Sequence, residues 1–261
     1  MINFQAVKIS IIPLVFAVLL GIASSCTNDK GPAPVITGSL YFHFHSNIDQ
    51  TEVPGYDTIV VSNQGRKISI SMCQFYISDI SLVRSDGSLY QVENKVILKI
   101  FQNELYFMGD IPVGSYKSVQ FNVGFDSITA LKNPISADTV FTYPEMWFDN
   151  SLPSQKYIYF YFGGKIDTTS SADGNLKQMV NFNYRIGTFP NVQQVKLPEE
   201  SFLVSNKQLQ YIHITINYMK LFEGIDLTKL GNLSVQNISD NSGAVAKSIA
   251  KNIPAMFHYE F

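Results

Sequence analysis

Short segments in which apolar and polar residues alternate are the feature that most constrains this fold. In the segment YIHITINYM (211–219), three isoleucines fall on one side of an extended chain and polar residues fall on the other. The same period of two, or a dense aromatic run, recurs in the segments 40–45, 67–78, 157–162 and 178–186. This period is typical of strands that bury one face. We therefore predict an all-β fold, an antiparallel β-sandwich of the Greek-key or immunoglobulin-like type.

Turn-forming residues separate these segments, and helical patterns are few. Asp86-Gly87 stands between two apolar pairs and predicts a β-hairpin. Only the segments 222–230 and 243–252 are predicted as short helices near the C-terminus. Many strands with short helical insertions are consistent with a single sandwich domain over residues 37–261.

Composition excludes some classes of function. The formal net charge is −2, only 15% of residues are charged, and no basic stripe is visible. Binding to nucleic acid is therefore not expected. The sequence also lacks the nucleophile elbow, the phosphate-binding loop and the HExxH zinc motif, so we do not expect an enzyme.

The N-terminus predicts export and a lipid anchor. Residues 1–25 combine a lysine, an apolar run and small residues, as in a secretory signal peptide. Cys26 directly follows the small residues and resembles the lipidated cysteine of a bacterial lipobox. Residues 26–36 would then form the anchor and a polar tether. We expect a lipoprotein of the outer membrane that faces the periplasm or the surface. The alternative is a plain secretion signal with an incidental cysteine.

Two of the four histidines, His43 and His45, lie two residues apart in a predicted strand. Side chains at i and i+2 point to the same side, so both imidazoles can reach one ion. Imidazole binds copper, zinc and nickel, and nearby methionines would favour copper(I). The alternative is a strand that buries Phe42 and Phe44 and exposes both histidines to solvent. Cys73 is unpaired and is interpreted as a buried apolar residue.

Four segments together resemble the MbnP-like domain, a family named for a periplasmic partner of a copper-chelating peptide, with lipoprotein members common in the Bacteroidota. They are a tyrosine-isoleucine-serine strand with an Asp-Gly turn, a Pro/Gly-Tyr turn before a phenylalanine strand, a Met-Trp pair before an aromatic strand, and a phenylalanine-x-tyrosine segment. Their positions are FYISDISLVRSDG (75–87), IPVGSYKSVQFNVGFD (111–126), MW (146–147) with YIYFYFGG (157–164), and FNYRIG (182–187).

The resemblance implies an all-β sandwich and a copper site of histidines with a tryptophan nearby. Trp147, preceded by Met146, matches the family tryptophan. Arg185 stands where the family has a histidine, and an arginine has no lone pair to offer a metal. His258 in the segment MFHY (256–259) is a further candidate ligand. In the first strand the family histidine matches Phe44, so His43 and His45 would reach the family position only if a bulge shifted the register by one. The candidate metal ligands are therefore His43 and His45, from their spacing, and His258, from the resemblance, with Trp147, Met146 and Arg185 adjacent.

Several interpretations remain open for these residues. His213 is interpreted as a surface residue of its strand, and His258 and Trp147 can equally be packing residues. Arg185 can pair with a carboxylate, such as Glu145 or Asp149, or lie on the surface. The first functional hypothesis is a copper-binding envelope protein. The second is an accessory lipoprotein, for a protein or glycan partner, that has lost the family metal site. A sugar-binding face of Tyr157, Tyr159 and Tyr161 is a third.

Overall fold

The computed structural model describes residues 34–130, 139–149, 157–169 and 179–260. Contacts divide the chain into two units, Met1–Val35 and Ile36–Phe261. The predicted signal peptide and Cys26 lie outside the described residues. Among the helices of the described residues, none is long and apolar enough to span a membrane.

Strands dominate the described part of the chain. Their bounds are β1 Thr37–Ile48, β2 Thr51–Glu52, β3 Ile59–Val61, β4 Lys67–Arg84, β5 Leu89–Gln91, β6 Ile97–Ile100, β7 Leu105–Pro112, β8 Gly114–Val123, β9 Ile158–Asp167, β10 Met179–Gly187, β11 Gln193–Lys196, β12 Phe202–Val204, β13 Leu209–Asn217, β14 Ser234–Val235 and β15 Phe257–Tyr259. The α-helices are Ser127–Ala130 and Ala244–Asn252. The 3₁₀ helices are Thr139–Phe141, Pro144–Met146, Phe189–Asn191, Tyr218–Phe222, Leu230–Asn232, Ile238–Ser242 and Ile253–Met256.

The strands form two sheets. The first has the order β15-β13-β1-β2, with β7 also paired to β1. The second has the order β11-β8-β4-β9-β10-β14, with β12 beside β8 and with β3, β5 and β6 beside the long strand β4. The prediction of an all-β sandwich is confirmed. Two pairs, β1 with β13 and β10 with β14, run parallel. Alternation cannot predict this direction, because a half-buried strand has the same period in either pairing.

The two sheets bury their facing aromatic side chains against each other. Phe42 of β1 lies 6.4 Å from Phe121 of β8, between ring centroids. Phe257 of β15 lies 5.2 Å from Phe121 and 5.8 Å from Phe75 of β4. Burial of such rings removes large apolar areas from water and supplies most of the stability of the sandwich. Because one face of each sheet is buried in this way, only the opposite face can contact solvent or a ligand.

Local turn chemistry explains which of the smaller predictions hold. Gly87 has φ 86° and its amide donates to Arg84, so the predicted hairpin between β4 and β5 is confirmed. The predicted helix near 243–252 is confirmed as Ala244–Asn252. The helix predicted over 222–230 is wrong. Gly224 there has φ 74°, and the Asp226 carboxylate accepts a hydrogen bond from the Thr228 amide, which fixes a turn.

A second, smaller aromatic core lies beside the first. Tyr157 and Tyr159 are buried in it, and Phe125 packs 5.2 Å and 4.8 Å from their rings. Trp147 packs against this cluster and forms an isolated bridge with Tyr157. The hypothesis of a sugar-binding face fails here, because two of its three tyrosines face the interior rather than solvent.

Candidate metal centre

The pairing of β1 with β13 brings three histidines onto one surface. The two strands run parallel with His43 opposite His213 and with His45 opposite Thr215. Strand β1 alternates strictly, so Phe42 and Phe44 are fully buried while His43 and His45 point outward. His213 is on the outward face of β13, between the buried residues Ile212 and Ile214. The three imidazoles therefore share the outer face of the first sheet.

One ring nitrogen of each histidine turns toward the others. His43 Nδ1 lies 3.2 Å from His213 Nδ1, and His45 Nε2 lies 3.4 Å from the same His213 nitrogen. A set of potential ligand atoms, one from each of the three residues, lies within 4.8 Å of one another. Two imidazole nitrogens bound at about 2.0–2.1 Å to one tetrahedral ion would be roughly 3.3 Å apart. The two spacings measured from His213 Nδ1 match this distance, so His213 and each of the other two histidines are placed as donors to one ion.

Three glutamates surround the histidines. Glu260 Oε2 is 3.3 Å from His45 Nε2 and 3.3 Å from His213 Nδ1. Glu104 lies 3.4 Å from His43 Nε2, and Glu52 lies 3.6 Å from His45 Nδ1. This cluster of acidic side chains makes the site favourable for a cation. We refer to His43, His45 and His213 as the histidine triad.

The triad is accessible from solvent. The exposed fraction of the side chain is 26% for His43, 16% for His45 and 46% for His213. Beside it, an open groove is lined by His213 and Glu260 together with Tyr211 and Phe202. An ion can therefore reach the three nitrogens without a rearrangement of the sandwich.

A sequence profile of the MbnP family matches residues 37–239, which is most of the chain. The chain belongs to the MbnP family. This MbnP-family domain is also similar to a solved structure, MbnP from Methylosinus trichosporium, with a TM-score of 0.53. The two chains are 12% identical, and the alignment covers 85% of this chain and 98% of the other. At that identity the likeness concerns the fold alone. A search of curated proteins finds no match.

The third histidine of the cluster in this MbnP-family domain is His213, whereas the sequence favoured His258. His258 belongs to β15, where it pairs with Thr215, and it is outside the group of three. The sequence did carry a signal for His213, because it stands at a polar position of an alternating strand, as His43 and His45 do. The missing information was the register between β1 and β13.

Trp147, Met146 and Arg185, which the sequence predicted to lie adjacent to the metal ligands, are not part of the histidine triad. They lie in or beside the second aromatic core. Arg185 Nη2 donates a 2.8 Å hydrogen bond to the Trp147 carbonyl, and its guanidinium lies over the rings of Phe148 and Tyr161. The Trp147 indole donates to the Phe141 carbonyl at 3.2 Å. Met146 is fully buried in the second aromatic core. Arg185 is therefore a cation held among aromatic rings.

Cys73 is buried and free, as predicted. Burial raises the pKa of its thiol to about 12. A soft copper ligand must be the thiolate, and burial suppresses that form near neutral pH. Cys73 is therefore a core residue rather than a metal ligand.

Proposed function

We propose that this protein is a non-catalytic metal-binding protein of the cell envelope that takes copper through His43, His45 and His213. The observation that carries the proposal is the approach of three ring nitrogens to 3.2 Å and 3.4 Å on an exposed strand pair. Membership of the MbnP family supports it, because the family is associated with copper. The chemistry of the donors is also suitable, since imidazole binds copper, zinc and nickel, and copper(II) binds most tightly in the divalent series.

The proposal is tested by a titration of the purified protein with copper against a chromogenic chelator. We expect one copper ion to be withdrawn from the chelator for each protein molecule, because the donors are already at ligand spacing. A parallel titration with zinc would show the weaker binding that the divalent series predicts. If the chelator kept all of its copper at protein excess, the proposal would be abandoned.

A second candidate function is that of an accessory protein without a metal. Arg185 favours this candidate, because the resemblance to the family implies a histidine at its position, and here the arginine donates to the Trp147 carbonyl. An arginine remains protonated and does not ligate metals. The same copper titration separates the two candidates, because an accessory protein of this kind would leave the chelator fully loaded.

We also propose that Cys26 carries the lipid that holds the protein at the outer membrane. The sequence around Cys26 supports this, and two or more acyl chains give stable membrane anchoring where a single chain does not. Replacement of Cys26 by serine is expected to abolish the incorporation of a labelled fatty acid and to release the protein from the membrane fraction. Cys73→Ala is the matched control, because it removes the other cysteine. Labelling that survives Cys26→Ser would contradict the anchor.

A further inference from the structure

Glu260 is a carboxylate that lies beside two of the three residues of the histidine triad, His45 and His213. Its Oε2 lies 3.3 Å from His45 Nε2 and 3.3 Å from His213 Nδ1, and those two nitrogens are 3.4 Å apart. The three atoms form an almost equilateral triangle. Its edges match the roughly 3.3 Å between neighbouring ligands of a tetrahedral ion with bonds near 2 Å. One oxygen that is equally close to two candidate ligand nitrogens is arranged as a further donor to the same centre.

Two other carboxylates face the outer nitrogens of the triad. His43 presents Nδ1 to His213, while its Nε2 lies 3.4 Å from Glu104. His45 presents Nε2 to His213, while its Nδ1 lies 3.6 Å from Glu52. A carboxylate on the outer nitrogen keeps the proton there and leaves the lone pair of the inner nitrogen for a metal. Glu104 is therefore a positioning residue for the inward-facing nitrogen of His43, whereas Glu52, at 3.6 Å, adds negative charge beside His45.

The carboxylates also bear on the charge of the preferred ion. Carboxylate oxygens suit divalent cations, whereas copper(I) prefers thiolate and thioether sulfur. Three soft donors of the described residues, Cys73, Met146 and Met256, are fully buried in the cores. Three glutamates around the triad stabilise an ion with two positive charges more than an ion with one.

We propose that Glu260 is a ligand residue that makes this a nitrogen-and-oxygen site for a divalent cation, so that copper is held as copper(II) in preference to copper(I). This inference rests on the proposed function, since it assigns the oxidation state and the fourth ligand of the same site. It changes the expectation drawn from the sequence, in which nearby methionines favoured copper(I).

The test compares the wild-type protein with Glu260→Gln and with the matched control Glu223→Gln. Glu223 also carries one negative charge, but it pairs with Lys220 at 2.6 Å. Affinity for copper(II) is measured by competition in air, and affinity for copper(I) by competition with a copper(I) chelator under a reductant without oxygen. We expect Glu260→Gln to weaken copper(II) binding by about 10- to 100-fold and copper(I) binding by less than about threefold. Glu223→Gln should leave both affinities unchanged.

Electron paramagnetic resonance of the copper(II) protein gives a second readout. Replacement of a carboxylate ligand should change the copper hyperfine coupling in Glu260→Gln and leave it unchanged in Glu223→Gln. The inference is overturned if Glu260→Gln lowers both affinities equally or lowers neither, because Glu260 would then be an ordinary ion-pair partner of the histidines. That result would leave the proposed function standing. A wild-type protein that binds copper in neither oxidation state would overturn both.

Discussion

Replacement of His213 by alanine is expected to lower the affinity of the protein for copper by at least about 100-fold. His213 Nδ1 is the atom that faces both other histidines, at 3.2 Å from His43 and 3.4 Å from His45. Loss of an outer-shell partner alone weakens metal sites by about 10- to 100-fold, so the loss of a central ligand should exceed that range. The measurement is competition for copper with a chromogenic chelator at fixed pH.

His258→Ala is the matched control for this prediction. Both histidines lie on neighbouring strands of the same sheet, but His258 is outside the group of three ligand residues. Its replacement should change the affinity by less than about threefold, well under the effect of a lost ligand. Equal losses in the two variants, or a larger loss in His258→Ala, would contradict the assignment of His213 as the third ligand.

The second large effect is expected in the core of the other sheet. Gly164 of β9 pairs with Ile70 of β4, and a Cβ at Gly164 would lie 2.0 Å from the Ser69 carbonyl oxygen. That contact is with the backbone of a central strand, so it cannot be relieved by a change of rotamer. Overpacking of this kind typically costs about 1–3 kcal/mol, and more where backbone must move. We expect Gly164→Ala to lower the free energy of unfolding by about 3 kcal/mol.

The adjacent residue, Gly163, provides the control. A Cβ at Gly163 would have its nearest neighbour, the Phe182 carbonyl oxygen, at 3.5 Å, which is an ordinary contact. Gly163→Ala should therefore leave stability unchanged or raise it by about 0.5 kcal/mol, because alanine restricts the unfolded chain. Urea denaturation of both variants measures the difference. If the two midpoints coincided, the close approach of β9 and β4 at Gly164 would be refuted.

The sequence predicted the faces of the strands better than it predicted their partners. Alternation in β1 was sufficient to place Phe42 and Phe44 inside and His43 and His45 outside, because the period of a strand fixes the side of every residue. It could not predict that His213 lies opposite His43, because 170 residues separate them in the chain. That pairing depends on how both sheets bury their aromatic side chains, which no local pattern contains.

The surroundings of Arg185 illustrate the same limit. The resemblance implied a family histidine at the position of Arg185, and no sequence pattern indicated aromatic neighbours for this arginine. In the structure its guanidinium lies 5.8 Å and 5.5 Å from the ring centroids of Phe148 and Tyr161, and it donates to the Trp147 carbonyl. These three neighbours come from two separate segments, so the environment arises from tertiary packing.

Diffraction from copper-loaded crystals, collected on both sides of the copper absorption edge, tests the central claim most directly. We expect one anomalous peak at about 2.0–2.3 Å from His43 Nδ1, His45 Nε2 and His213 Nδ1. A peak beside Trp147, or no peak at the triad in crystals that contain copper, would contradict it.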